Sequence, residues 1–395
     1  MNWQFPMKAK SSAPNMIRDV VGRGMKIPGF ISFALGNPAK DAIPADIIVE
    51  SAREMLNEDP MKILQYGDVL GDAELREMIT KHLVEDLNFP AEDQTLVMLA
   101  GSGQGLGLSS RCFCQEGDEV YLDEFSFSNM INAVNNVGAV PVGIPMDEEG
   151  MIPSELAKAA ASGKGKFIYL IPNFHNPLGK TISLERRKEL YAVAQEYDLL
   201  IYEDDPYGEI RFEGEFLPGF KSMDTDGRVI YAGSYSKILA AGLRVGFLYG
   251  RKDIMQIMQL IKTNGEAQNP LLNQIIVRKT LQKLDYEEHL KKIRAIYGVK
   301  CKCMLDALRK YMPAGATFTE PQGGMFLWLT IPDSVDSEEY FEAAMSKGVG
   351  MVKSKAFATD PEKAGNSFRL NYTFSSDEDI EKGIKILGDI LKEMM

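Results

Sequence analysis

Residues 233–246 read Gly-Ser-Tyr-Ser-Lys-Ile-Leu-Ala-Ala-Gly-Leu-Arg-Val-Gly, which places Lys237 beside the hydroxyls of Ser234 and Ser236 and seven residues ahead of Arg244. An isolated lysine is ordinarily a solvated surface charge. The alternative is an amine whose pKa is lowered by its surroundings, so that it attacks a carbonyl and forms a Schiff base. Two hydroxyls and a guanidinium suit a phosphate dianion, which arginine binds through paired charge-assisted hydrogen bonds.

A ligand that satisfies both halves of this stretch is a phosphorylated aldehyde, and pyridoxal phosphate (PLP) is one. A second stretch, Gly101-Ser102-Gly103-Gln104-Gly105-Leu106-Gly107, follows an apolar run at 95–100. A glycine-rich turn between strand and helix offers backbone N–H groups and a helix start to an anion. The dinucleotide fingerprint fails, because Leu106 stands where G-x-G-x-x-G needs glycine. A third, Pro172-Asn173-Phe174-His175-Asn176-Pro177-Leu178-Gly179, is a rigid turn at the end of a β run. A fourth, Glu203-Asp204-Asp205-Pro206-Tyr207, sets three carboxylates at a strand end. Such a cluster is unfavourable when buried unless it faces a cation, and a divalent metal is the other reading.

The elements that must position these groups alternate. Apolar β runs at 95–100, 119–123, 139–144, 166–171, 199–202 and 229–232 are separated by helical patterns starting near Gly103, Ser128, Ile152 and Ser183. That alternation predicts a mainly parallel sheet with helices on both faces, and ligand sites at the carboxyl ends of its strands. The Lys237 stretch itself reads strand, short polar loop, strand. Beyond residue 251 the pattern turns helical, with a long helix over roughly 285–311 stopped before Pro313, then strands at 324–329 and 367–372. A last helix opens on a Ser375…Glu378 capping signature. The expected division is a large domain over 45–290 and a smaller α+β domain made of 1–44 and 291–395. A short helix is expected around Pro14–Asp19, after Ser11 and Ser12, and a lone Arg18 on it reads as surface.

The chain has 395 residues, 45% hydrophobic and 25% charged, with a formal net charge of −12. The acidic balance argues against broad nucleic-acid contact. No apolar run reaches the roughly 18 residues of a membrane span, and the first ten residues lack the apolar core of a signal peptide; the expectation is a soluble cytoplasmic protein. The four cysteines, Cys112, Cys114, Cys301 and Cys303, form two C-x-C pairs rather than the C-x-x-C of zinc knuckles, and are read as free thiols with no metal.

Taken together, NPLG, EDDPY, SYSK with GLRVG, GGMFLW and FRLNY occur in the order found in the PLP-dependent aminotransferases of fold type I. From about Ser32 to Arg369 the chain resembles that family, closest to the branch holding 2-aminoadipate and kynurenine aminotransferases. The resemblance implies an α/β fold with a seven-stranded, mainly parallel sheet. It also implies ping-pong transfer of an amino group from an L-amino acid (aromatic, branched, or 2-aminoadipate- or glutamate-like) to a 2-oxo acid. By the same resemblance Lys237 carries the coenzyme and acts as the base, Asp204 pairs with its pyridine nitrogen, and Tyr207 and Asn176 hydrogen-bond its phenolic oxygen. Ser102, Gly103, Ser234, Ser236 and Arg244 hold its phosphate, and Phe127 stacks on its ring. Arg369 binds the substrate α-carboxylate, with Asn173 and the Gly36 backbone as further contacts. Tyr66 matches a tyrosine that reaches the neighbouring subunit's phosphate, which implies a homodimer with shared active sites. Arg18 matches an arginine that meets distal carboxylates.

Three positions depart from the family pattern: Gly103 where glutamine is usual, Leu178 where threonine is usual, and Lys353-Ser354 where Pro-Gly is usual. Lys353 and Lys355 are expected to add positive charge near the substrate mouth and, with Arg18, to favour acidic side chains. Three other functions share parts of this pattern. A PLP carbon–sulfur β-lyase needs the same Lys237 and Asp204. A serine acyl-enzyme would use Ser234-x-x-Lys237, but neither S-D-N nor K-T-G occurs. A regulator would need a DNA-binding head, for which the domain pattern, begun by residue 31, leaves no room.

Overall fold

The computed structural model describes residue 4 and residues 16–395. Seven strands form the central sheet: β1 (Gln94–Leu99), β2 (Glu119–Asp123), β3 (Val140–Ile144), β4 (Gly165–Leu170), β5 (Leu200–Asp204), β6 (Val229–Ser234) and β7 (Gly246–Arg251). Their order across the sheet is β1-β7-β6-β5-β4-β2-β3. All neighbours run parallel except β7, which is antiparallel to both β1 and β6. The parallel strands are apolar on both faces because helices cover both sides. β4 buries Phe167, Ile168, Tyr169 and Leu170, and β6 buries Val229 to Gly233.

This is the α/β architecture expected, with strand ends shifted by a residue or two. A second sheet of four antiparallel strands holds β8 (Thr317–Phe318), β9 (Phe326–Thr330), β10 (Val352–Lys353) and β11 (Ser367–Asn371), ordered β8-β9-β11-β10. Ile31–Ser32 pairs in parallel with Val349–Gly350, which ties the start of the described chain to its C-terminal part. The long helix spans Tyr286–Tyr311, capped by the Asp285 side chain, and buries Leu290, Ile293, Tyr297, Cys301, Met304 and Leu308 on one stripe. The last helix, Asp377–Met394, is capped one residue later than expected: the Ser376 hydroxyl accepts from the Asp379 amide at 3.1 Å. The helix near Arg18 runs Met16–Gly24; its expected start at Ser11, Ser12, Pro14 and Asn15 lies outside the described residues.

All four cysteines are free thiols, and Cys301 is buried. Among the described residues no group of three or more His, Cys, Asp or Glu side chains could hold a metal, and no helix is long and apolar enough to cross a membrane.

Candidate active site

Five strand ends converge on one edge of the central sheet. β1 leads into Gly101–Gly103, β2 into Phe127, β4 into Asn173 and Asn176, β5 ends on Asp204, and β6 ends on Ser234 just before Lys237. β7, running the other way, starts at that edge just after Arg244.

The backbone at Lys237 is not the short polar loop expected. It coils through a wide helical turn over Ser236–Ala240 and a 3-10 turn over Ala241–Leu243, because Ile238 and Leu239 are apolar and buried. His289 donates from Nε2 to the Ile238 carbonyl at 2.6 Å and braces the turn from the long helix. Lys237 Nζ donates to the Gly36 carbonyl at 2.6 Å. Burial, with the nearby Arg369 and Arg244 cations adding to it, lowers this amine from 10.5 to about 8.

Asp204 is buried at the end of β5. The Tyr169 hydroxyl donates to its Oδ2 at 2.7 Å, while its Oδ1 has no partner. Burial raises the carboxyl from 3.8 to about 7, against the pull of the Tyr169 hydrogen bond, and Asp205 adds to the rise.

At the opposite end, Gly101 takes φ +83, and a Cβ there would collide with the Arg244 guanidinium. Only glycine tolerates both the conformation and the approach. Arg244, itself left-handed at φ 51, donates from Nη1 to Ser236 Oγ at 3.2 Å and from Nη2 to the Ala100 carbonyl at 3.2 Å. Ser234 Oγ accepts from the Ser236 amide at 3.1 Å. The helix Gly103–Phe113 begins here, and Ser102 spends no hydroxyl on capping it. A side chain at Gly103 would point into open space, and the neighbouring Gln104 instead accepts from the Ala100 amide at 2.7 Å. Phe127 is half-buried at the start of the helix Ser128–Val137.

Arg369 lies mid-strand in β11, fully buried. Its Nη1 donates to Asn176 Oδ1 at 2.9 Å and its Nη2 to the Ala34 carbonyl at 2.6 Å. The guanidinium lies over the Phe326 ring at 4.2 Å and the Phe357 ring at 4.8 Å. Its Nε has no partner, and among the described residues no carboxylate forms an ion pair with it. Burial lowers its pKa to about 10, so it stays cationic at neutral pH. Asn176 also donates to the Tyr207 hydroxyl at 3.5 Å, which links Tyr207 to the same group.

Two expectations need correcting, those for Asn173 and Lys353. Asn173 does not face Arg369: its Oδ1 accepts from Arg187 at 2.7 Å and its Nδ2 donates to Asp205 at 3.1 Å. The chain reverses at Phe174, which holds φ 50, and the two asparagines end in separate networks. Lys353 does not charge the substrate mouth, because its Nζ pairs with Glu338 at 2.7 Å and lies over Phe341. Tyr66 is 85% exposed and not part of the Lys237 group within one chain. Arg18 sits on an exposed face of the helix Met16–Gly24. Sequence reasoning missed Tyr169, the Ala34 carbonyl and a buried His175–Asp123 pair with Nε2 and Oδ2 3.1 Å apart. A tyrosine inside a strand buried on both faces was the one usable signal, since its hydroxyl must find a partner.

The family profile described as aminotransferase class I and II matches residues 28–387. The chain belongs to the class I and II aminotransferases. It is 34% identical to aromatic-amino-acid aminotransferase 1 of Thermococcus litoralis over 396 residues, covering 99% of this chain and 94% of that one. It is 32% identical to 2-aminoadipate transaminase of Thermus thermophilus over 371 residues, covering 93% and 91%. The solved structure of Pyrococcus horikoshii kynurenine aminotransferase, in complex with PMP, superposes with a TM-score of 0.93 at 34% identity, covering 98% and 97%. This aminotransferase is therefore a PLP-dependent transaminase of fold type I; the lyase alternative is not favoured.

The residues present fit PLP. A buried carboxylate oxygen without a partner, on Asp204, suits a protonated ring nitrogen. A buried amine lowered toward neutrality suits an aldehyde, and the Ser102–Gly103 helix start with Ser234, Ser236 and Arg244 suits a phosphate.

One pH dependence follows. The neutral amine is the reactive form, and below a pKa its fraction falls about tenfold per pH unit. The rate at which aminotransferase freed of PLP recaptures it is expected to rise with pH up to about 8 and then level. Stopped-flow absorbance measures it; a rate still climbing toward 10.5, the ordinary lysine value, would count against a lowered amine. Stability of the coenzyme-free protein carries the linked sign. Lys237 holds its proton less tightly folded than unfolded, so its contribution rises with pH between about 8 and 10.5 and is least favourable below that window.

Proposed function

We propose that this aminotransferase moves the amino group of an aromatic, branched, 2-aminoadipate-like or glutamate-like L-amino acid to a 2-oxo acid in two half-reactions, on an active site shared across a homodimer. The observation that carries the reading is Arg369, a buried guanidinium lacking any carboxylate partner among the described residues and held by Asn176 and Ala34 close to Lys237. A buried cation needs a counter-charge, and an amino or oxo acid brings one at the α-carboxylate.

When bound, PLP supplies the aldehyde that takes up the amino group and the ring that draws electrons from the substrate Cα. Arg369 binds the α-carboxylate and fixes the orientation of the Cα–H bond. Lys237 Nζ would be the base that takes the proton from the substrate Cα and carries it during the transfer. Asp204 would keep the pyridine nitrogen protonated. Asn176 and Tyr207 would hold the phenolic oxygen, Phe127 would cover the ring, and Ser102, the Gly103 amide, Ser234, Ser236 and Arg244 would hold the phosphate. In the coenzyme-free chain the Lys237 amine rests on the Gly36 carbonyl.

Replacing Arg369 by glutamine is expected to lower kcat/KM for every donor by about 10²-fold, from the loss of charge-assisted hydrogen bonds worth about 1.5–3 kcal/mol each. Steady-state kinetics measures it, with coenzyme absorbance unchanged.

Tyr66 supports the dimer. It is exposed together with Met61 and Leu64, an apolar group that a two-fold interface would bury, and in the partner's site its hydroxyl would reach the phosphate. Sedimentation equilibrium is expected to give twice the chain mass of 43.9 kDa.

The reading is tested by a donor panel followed by absorbance. Amino acid alone should convert bound coenzyme to its amine form, and a 2-oxo acid should reverse the change. Pyruvate and ammonia released from cystathionine without an oxo acid would favour the lyase instead. Within the panel, a preference for 2-aminoadipate or glutamate that disappears in Arg18→Ala would assign Arg18 to distal carboxylates; indifference to that substitution removes the assignment.

A further inference from the structure

We propose that Tyr169 is a positioning residue for the coenzyme: its hydroxyl orients Asp204 and favours its ionised form, leaving the second carboxylate oxygen for the pyridine nitrogen. This rests on the reading that Asp204 pairs with that nitrogen.

The sheet builds the contact. β4 and β5 run parallel with Tyr169 opposite Tyr202, so Tyr169, Tyr202 and Asp204 share a face, Asp204 two residues further along. The Tyr169 ring is fully buried, and its hydroxyl donates to Asp204 Oδ2 at 2.7 Å. Asp204 Oδ1 is buried with no partner. One oxygen is thus engaged by a donor and the other is open.

The chemistry of the donor matters. The titratable groups acting on this pair are Tyr202, Tyr207 and Asp205, and none supplies positive charge to it. A lysine or arginine in place of Tyr169 would neutralise the carboxylate and compete with a protonated ring nitrogen. A neutral hydroxyl stabilises the ionised form and leaves its charge intact. Burial raises the Tyr169 hydroxyl well above its usual range, so it remains a donor. Tyr202 supplies the contrast on the same face: its hydroxyl is also buried but has no partner.

The test uses holoenzyme reconstituted with PLP carrying 15N at the pyridine nitrogen, whose NMR shift reports protonation. Wild type is expected to show a protonated nitrogen. Tyr169→Phe should move the signal toward the unprotonated position and weaken coenzyme binding about tenfold, the loss of one hydrogen bond to a charged group. It should also lower kcat about tenfold while donor KM changes less than about twofold, as expected when only transition-state stabilisation is lost. Tyr202→Phe should leave all three unchanged. If Tyr169→Phe does not fold, Tyr169→Met is read the same way. A protonated wild type with Tyr169→Phe indistinguishable from it, or equal losses in Tyr202→Phe, overturns the role of Tyr169 and leaves that of Asp204 standing. An unprotonated nitrogen in wild type overturns both.

Discussion

Lys237→Ala is expected to lower transamination by about 10⁴-fold or more, the upper range for loss of a positioned general acid–base group, and to abolish covalent attachment of the coenzyme. The size follows from two duties falling on one atom. In the proposed mechanism Lys237 Nζ joins the aldehyde and also carries the proton taken from Cα. The structure offers no substitute among the described residues near it: the groups that flank it, Arg369 and Arg244, are guanidinium donors without a basic lone pair, and its hydrogen-bond partner is a backbone carbonyl, that of Gly36. Single-turnover absorbance with a good donor measures the rate. Borohydride reduction followed by peptide mass spectrometry measures the attachment, with the coenzyme found on the peptide containing residue 237 in wild type and absent from the variant. Lys237→Arg should be no better than alanine, since a guanidinium neither attacks the aldehyde nor takes a proton from Cα. A variant that keeps more than about one hundredth of wild-type turnover would mean that another base serves, below the minimum expected of a group of this kind.

Asp204→Asn is expected to divide function from stability. In the proposed site the ring nitrogen would lose its counter-charge without this carboxylate, and kcat should fall by about 10³-fold, some 4 kcal/mol of transition-state stabilisation at about 1.4 kcal/mol per factor of ten. The coenzyme-free variant should meanwhile be more stable than wild type above pH 7. The sign follows from linkage. The folded-state pKa of Asp204 stands at about 7 against an ordinary 3.8, so the folded chain binds the proton more tightly and the carboxylate destabilises the fold as it ionises. That penalty is absent below 3.8, grows as pH rises, and is complete above about 7. Thermal unfolding of the two coenzyme-free proteins should therefore diverge with rising pH and converge near pH 4. Asparagine preserves the acceptor that Tyr169 needs, so the comparison isolates the charge. Equal unfolding at pH 8 would show that Asp204 is not destabilising when ionised. Burial of an unsatisfied charge at a functional site, offset by coenzyme binding, is the expected form of a stability–activity trade-off.

Much of the site was legible because its motifs sit at strand ends. In a parallel sheet with alternating helices, every strand's carboxyl end comes to one edge. Reading β runs before Gly101, Phe127, Asn176, Asp204 and Lys237 is therefore almost enough to gather them. The position of Arg369 followed only from the resemblance, since an arginine inside a β run carries no mark of being buried or unpaired. Its partners could not be read at all. The Ala34 carbonyl that holds it is 335 positions away along the chain, delivered by a segment that pairs through Ile31–Ser32 with Val349–Gly350.

Asn173 and Asn176 show where the residues run out. Both flank the same turn and either could serve a carboxylate by type. The backbone reversal at Phe174 and the placement of Arg187 decide which one meets Arg369 and which one meets Asp205. Lys353 was misread for the same reason: its charge is visible in sequence, but Glu338, which takes it up, is brought near by folding.

From its residue types and spacing alone, this chain specified the α/β alternation, the edge at which ligands meet it, and an amine beside an anion cradle fit for PLP; the role of Asp204 followed only from the resemblance. Folding alone decided what each group experiences there: that Lys237 is desolvated enough to approach neutrality, that Asp204 keeps one oxygen open while Tyr169 holds the other, and that Arg369 has no counter-charge among the described residues. The difference is physical. Backbone pattern is a local property repeated along the chain, whereas desolvation, side-chain direction in irregular turns and the partners of a buried charge depend on segments that meet only in the folded molecule.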